Sequence, residues 1–181
     1  GCIIGSFLNV CIYRIPKRRS LIMPNSFCPK CKEPIAWFDN IPIVSYIILV
    51  GKCRYCKKSI SIRYLIVELI TGILFVLLYN KFDVSLFFFC YVILVCFLIV
   101  IAFIDLDFQL IFDSTTLPLL VIGLVFSFFL PDRNIVDSLL GMMVGGISLY
   151  TIGYVFSLIY KKEAMGGGDI KLAAAIGTFL G

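Results

Sequence analysis

Long apolar runs dominate the chain, at about 64–79, 84–104, 116–130 and 135–160. Short polar breaks at 80–83, 105–115 and 131–134 separate them. About 20 apolar residues in a helix cross the hydrocarbon core of a bilayer, so each run predicts a membrane helix. The first and third are short and borrow flanking residues, whereas the last is long enough to tilt or protrude. Two further apolar stretches, 1–13 and 171–181, are too short to span. They are expected to be parts of a first and a last helix, and the chain a fragment of a longer membrane protein.

Composition removes the soluble alternative. Of 181 residues, 61% are hydrophobic and 15% charged, against about 25% charged in soluble domains. Mean hydropathy is +1.05. A soluble core of this size cannot hide that much apolar surface; a lipid bilayer can.

Charge then orients the helices. Residues 14–63 hold 11 of the chain's 16 Lys and Arg residues, against only Glu33 and Asp39. Basic loops stay on the cytosolic side, so this segment is expected inside. Threading the runs from there turns the chain outside at 80–83, returns it to the cytosol at Asp105, turns it outside again at 131–134, and brings Lys161, Lys162 and Asp169 back inside. Two acids 64 residues apart thus reach one membrane face. Anionic lipid headgroups are the expected partners of the basic segment, and no nucleic-acid partner is expected.

Four of the eight cysteines form two C-x-x-C pairs, Cys28/Cys31 and Cys53/Cys56, separated by 21 residues. Two such turns supply the four thiolates of a tetrahedral metal site. Disulfides and redox-active thiols use the same spacing. A reducing cytosol disfavours disulfides, and a closed set of four ligands suits structural rather than catalytic zinc. The small segment has few core residues (Trp37, Phe38, Ile41, Ile43, Tyr46), so a metal staple makes physical sense. Cys2, Cys11, Cys90 and Cys96 lie in apolar stretches and read as small buried hydrophobes. The expected fold class is an all-α polytopic membrane protein, a transmembrane helix bundle with a small cytosolic four-cysteine zinc-type insert.

Asp105 ends an apolar run, with Asp107 and Asp113 close behind. Taken alone, it reads as a helix reaching the headgroups. Asp169 follows Gly166-Gly167-Gly168 and opens an apolar segment. Acids at such positions are costly and point to function. The chain has no His, which removes His-based triads and H-E-x-x-H zinc sites. Any hydrolase here would rest on carboxylates. Two Asp a few Å apart share one proton; the ionised member activates water and the protonated one polarises a carbonyl.

The order of motifs resembles one family closely. Gly5-Ser-Phe-Leu-Asn-Val10, Tyr13-Arg-Ile-Pro16, the two C-x-x-C pairs, Asn40-Ile-Pro42, Gly51-Lys-Cys53, 60–64 through Glu68, Ile104-Asp105 with Asp113, and Gly166-Gly-Gly-Asp-Ile-Lys-Leu172 are similar to the type IV prepilin peptidases. These are membrane aspartic proteases of the G-x-G-D kind. The resemblance implies a catalytic pair at Asp105 and Asp169, with Asp107 as an alternative first acid. It implies cleavage of prepilin or pseudopilin leaders after a Gly at the cytosolic face of the bacterial inner membrane. In bifunctional members it also implies N-methylation of the new terminus with S-adenosylmethionine, for which the residues themselves carry no cofactor fingerprint. Phe112 stands where the family has a Pro before Asp113, which is expected to loosen that turn. The implied organisation is a truncated first transmembrane helix (1–13), a cytosolic four-Cys insert (14–63) and a membrane peptidase domain (64–181). A rival reading is a zinc-stapled assembly or transport subunit whose acids bind protons or cations. Oligomeric state is left open.

Three other features leave alternatives. Gly141-x-x-x-Gly145 allows close helix packing, within the chain or between copies. Glu68 faces a cavity, the insert or the headgroups. Lys171 either tunes the acid pair or reaches to the headgroups.

Overall fold

A computed structural model describes residues 1–23, 26–130, 133–161 and 166–181, with the side chain of Trp37 excepted. Pro131 and Asp132 of the expected outer turn, and Lys162 of the expected inner Lys pair, lie outside the described residues. The regular elements of the described chain are helices and two isolated β-bridges, and it divides into two compact units, Gly1–Lys81 and Phe82–Gly181.

The first unit contains α1 (Cys2–Arg14), a 3-10 turn (Trp37–Asn40), the short α2 (Val44–Ile48) and α3 (Arg63–Phe82). Helices α1 and α3 meet main chain to main chain. A Cβ placed on Gly5 would lie 2.8 Å from the Cα of Glu68, and one on Gly72 would lie 2.7 Å from the Cys2 Sγ. Buried Asn9 donates to the Tyr64 carbonyl at 3.0 Å. Buried Arg14 donates to the Ser20 carbonyl at 2.9 Å and folds the chain back after α1. Small and hydrogen-bonding residues are what let helices associate where lipid supplies no hydrophobic drive.

The second unit contains α4 (Leu86–Phe108), α5 (Asp113–Ser127), α6 (Ile135–Tyr160) and α7 (Gly167–Leu180). Local chemistry sets the helix ends. The Ser85 hydroxyl accepts from the Phe88 N–H, and Asn134 and Asp137 form a reciprocal capping box before α6. Gln109, left-handed at φ 50°, closes α4.

Among the described residues, α3, α4 and α6 are long and apolar enough to cross a membrane, at 20, 23 and 26 residues. The third apolar run is shifted three residues toward the N-terminus and gains no length from its flanks. It forms α5 over 15 residues, starting at Asp113 and containing Pro118. That is about 22 Å of helix, less than the roughly 30 Å hydrocarbon core.

Helix α7 is the packing centre of this unit and touches α4, α5 and α6. Against α6 there is no room for side chains: a Cβ on Gly177 would collide with the Gly141 carbonyl oxygen, and the converse also holds. One turn along, a Cβ on Gly145 would lie 2.5 Å from the Ala173 carbonyl oxygen. The pairing of 141 with 177 and of 145 with 173 makes the two helices antiparallel. The expected small-residue stripe of α6 is therefore an intrachain seam. On α5, Gly123 fits against Thr178 and Phe179 of α7 in the same way. Cys90, Leu94, Ile101, Leu119, Leu130, Ala175 and Phe179 form the unit's core. At the far end, Arg133 donates to the Tyr91 hydroxyl at 2.9 Å and to the Phe179 carbonyl, tying the start of α4 to the end of α7.

Gly177→Ala should open the α6–α7 seam and cost about 1–3 kcal/mol, seen as a lower unfolding midpoint in detergent. Gly146→Ala, whose added carbon meets only Ala174 Cβ at 3.4 Å, should change it little.

Candidate metal centre and candidate active site

The two C-x-x-C segments fold alike. In the first, Cys28 N–H donates to the Glu33 carbonyl at 2.9 Å and Lys32 N–H to the Cys28 carbonyl at 2.8 Å. In the second, Cys53 N–H donates to the Lys58 carbonyl at 2.9 Å and Lys57 N–H to the Cys53 carbonyl at 3.0 Å. A single antiparallel bridge closes each loop, Phe27 with Pro34 and Lys52 with Ser59. Lys32 and Lys57, each just after the second cysteine, are both left-handed at φ 62° and 58°. This local structural repeat was not read from the sequence, although the shared C-x-x-C-Lys pattern signals it.

The loops converge so that all four Sγ atoms lie within 4.8 Å of one another. The separations are 3.9 Å for Cys28 to Cys56 and 4.0 Å for Cys31 to Cys53. Tetrahedral zinc, with Zn–S bonds of about 2.3 Å, places its sulfurs about 3.8 Å apart. The cluster can therefore hold a metal ion and fits zinc. Burial opposes ionisation of the Cys28 thiol, but N–H groups of Cys31 and Lys30 and the thiols of Cys31 and Cys53 outweigh it and hold it at about 7. At Cys31 the Glu33 N–H favours the thiolate, yet burial and the thiols of Cys28, Cys56 and Cys53 push it up to about 12. Arg54, between the second pair of cysteines, grips Asp39 with two bonds of 2.7 and 2.6 Å. That hydrogen-bonded guanidinium holds the Asp39 carboxyl below the usual range and ties the second loop to the 3-10 turn.

Glu68 is buried, and its Oε2 accepts the Ile43 N–H at 2.8 Å. Ile43 is the centre of a tight turn in which Val44 N–H donates to the Pro42 carbonyl at 2.6 Å. Its φ of 64° is costly for a β-branched residue. The carboxylate of a membrane helix thus holds a strained corner of the insert. Glu68 also lines a cavity of about 760 Å³ in this unit, with Ser6, Asn9, Tyr13, Tyr46 and Tyr64.

In the second unit, Asp105 lies in the last turn of α4 and Asp169 in the first turn of α7. Both are exposed, and among the described residues neither has a side-chain hydrogen bond or ion pair. Asp105 stands one turn beyond Ile101, a member of the core, whereas Asp107 is about 200° further round the helix. The connection from α4 to α5 brings the two helix ends to one end of the unit. Gln109 N–H closes on the Asp105 carbonyl at 2.7 Å, and the main chain of Gly168 fits against Ile111, with room for no Cβ. Phe112 does not loosen this turn as expected. Its backbone is extended, and its carbonyl accepts from both the N–H and the hydroxyl of Thr115, at 3.0 and 2.7 Å. The Lys171 Nζ meets both oxygens of Asp113, at 2.7 and 2.9 Å.

Helices long and apolar enough to cross a membrane, a four-cysteine cluster able to hold a metal ion and a pair of carboxylates at one helix-bundle end define an α-helical membrane protein. Residues 1–82 match the Bacterial Peptidase A24 N-terminal domain, and residues 92–181 match the Type IV leader peptidase family. The chain belongs to the type IV leader peptidase family. It is 41% identical to a prepilin leader peptidase/N-methyltransferase of Neisseria gonorrhoeae over all of this chain and 72% of that protein. The protein of the same name from Klebsiella pneumoniae is 42% identical over all of this chain and 82% of its own length. That from Myxococcus xanthus is 39% identical over 99% of this chain and 54% of its own length. No solved structure matches the chain.

The purified chain should carry about one zinc ion, lost on Cys→Ser substitution at any of positions 28, 31, 53 and 56. Because Cys31 must give up a proton to bind and Cys28 regains one as pH falls through about 7, zinc affinity should fall steadily on acidification. Metal titration at several pH values checks both.

Proposed function

We propose that this protein is an aspartic endopeptidase of the bacterial inner membrane that removes the leader from prepilins or pseudopilins at the cytosolic face. The observation that carries this reading is the placement of Asp105 and Asp169 at one end of the same helical unit, without side-chain partners among the described residues, in a chain of this family. The cytosolic orientation rests on the basic insert and the positive-inside rule.

In the proposed reaction one carboxylate takes a proton from water as it attacks the scissile carbonyl. The protonated partner donates a hydrogen bond to the carbonyl oxygen as negative charge develops there. Collapse of the tetrahedral intermediate, with proton delivery to the leaving nitrogen, frees the amine of the mature pilin. A substrate that is itself a membrane helix suits acids held at helix ends at the membrane surface. Zinc bound by Cys28, Cys31, Cys53 and Cys56 would stabilise the insert, since a small segment gains much of its folding free energy from such a site.

A second reading adds methyl transfer, suggested by the relatives' name and favoured by the cavity of the first unit. Its volume of about 760 Å³ lies in the range of small-molecule sites. S-adenosylmethionine bound there would supply an electrophilic methyl group. The buried Glu68 carboxylate would complement its sulfonium charge, and Tyr13, Tyr46 and Tyr64 offer rings to a cation.

Asp105→Asn and Asp169→Asn should each lower prepilin cleavage by about 10³-fold or more while the protein still inserts in the membrane. Near wild-type cleavage by either variant removes the dyad. Both variants should keep their affinity for labelled S-adenosylmethionine in equilibrium dialysis, whereas Glu68→Gln should weaken it.

A further inference from the structure

The first turn of α7 has little of its own to hold it. It starts at Gly166-Gly167-Gly168, the N-cap makes no side-chain bond, and among the described residues a Cβ on Gly167 would meet nothing within 4 Å. Glycine is the residue least able to order a helix start, yet Asp169 sits on that turn. Lys171, two residues on, does not serve α7 itself, because a cation near a helix N-terminus opposes the macrodipole. It reaches across to Asp113, the first residue of α5, where an acid favours that helix's dipole. Asp113 in turn is eight residues from Asp105, through a connection closed at Gln109 and by the bonds of Thr115 to the Phe112 carbonyl.

From this placement, we propose that the Asp113–Lys171 ion pair is a latch that positions Asp169 relative to Asp105. The latch joins the otherwise weakly held start of α7 to the segment that leaves the Asp105 helix. The contact of Gly168 with Ile111 supplies the fulcrum, since a main chain pressed on a side chain limits approach without fixing rotation about the helix axis. Asp113 and Lys171 are positioning residues, not catalytic ones. The inference rests on the dyad reading of Asp105 and Asp169 and adds to it which groups set the geometry.

The test is a charge-exchange cycle in the intact protein, reconstituted in liposomes with a prepilin. Asp113→Asn and Lys171→Met each keep side-chain volume but remove one charge. Each should lower kcat by about five- to a hundredfold, the range from loss of an exposed pair to a misplacement of about 1 Å, with KM changed less than twofold. The double variant should be no slower than the slower single one. Reversal of the pair, Asp113→Lys with Lys171→Asp, should recover kcat to within about threefold of wild type. Hydrogen exchange at the amides of 167–171 should rise in the single variants and fall back in the reversed pair. Single variants with wild-type kcat overturn the latch, as does a reversed pair that inserts and melts normally but stays as slow as the single variants. Failure of the dyad reads differently: Asp105→Asn or Asp169→Asn would then still cleave, whatever the latch variants do.

Discussion

Helix α7 is held by contact between main chains. Gly141 and Gly177 sit so close that neither tolerates a Cβ, Gly145 meets the Ala173 carbonyl one turn away, and Gly123 of α5 presses on Thr178 and Phe179. In a bilayer, lipid tails solvate apolar side chains as well as a neighbouring helix does, so association rests on close packing and hydrogen bonds. The seam supplies the packing, and Arg133 supplies the hydrogen bonds at one end, to Tyr91 and to the Phe179 carbonyl. With α7 fixed from Ala173 onward, its first turn carries Asp169 at the end where α4 delivers Asp105.

The first unit solves a different problem. Its segment between α1 and α3 has little regular structure and few buried apolar side chains. Two loops of the same hydrogen-bonding pattern bring four sulfurs together, Arg54 ties one loop to Asp39, and Glu68 ties the strained corner at Ile43 to a membrane helix. Four converging thiols able to hold a metal ion, and a buried carboxylate, stand where so short a segment lacks an apolar core. The cavity beside Glu68 has Cys28 and Cys53 of this cluster in its wall.

Much of this architecture was legible in the sequence, because long apolar runs and C-x-x-C spacing are local signals. The membrane spans and the four-cysteine set were read that way, and the ordered motifs pointed to the family. The start of α5 was misplaced at residue 116 because the helix begins on polar Asp113, Ser114 and Thr115, which carry no hydropathy signal; there the N–H and hydroxyl of Thr115 donate to the Phe112 carbonyl. Glu68 and Lys171 had open roles for a related reason. Their partners, Ile43 and Asp113, lie 25 and 58 residues away, and no periodicity in one chain reveals such a pairing. Phe112 in place of Pro looked like a weakness, but an extended backbone and two Thr115 bonds hold the turn without the ring.

The central claim is that Asp105 and Asp169 act together on a tetrahedral centre. The most direct measurement is the affinity of the reconstituted protein for a leader–pilin peptide whose scissile carbonyl is replaced by a hydroxyl-bearing tetrahedral carbon. This peptide should bind at least about 100-fold tighter than its uncleavable amide counterpart, and the advantage should vanish in both Asp105→Asn and Asp169→Asn. Equal affinity for the two peptides, or an advantage that survives either substitution, would contradict a shared catalytic role for the two carboxylates.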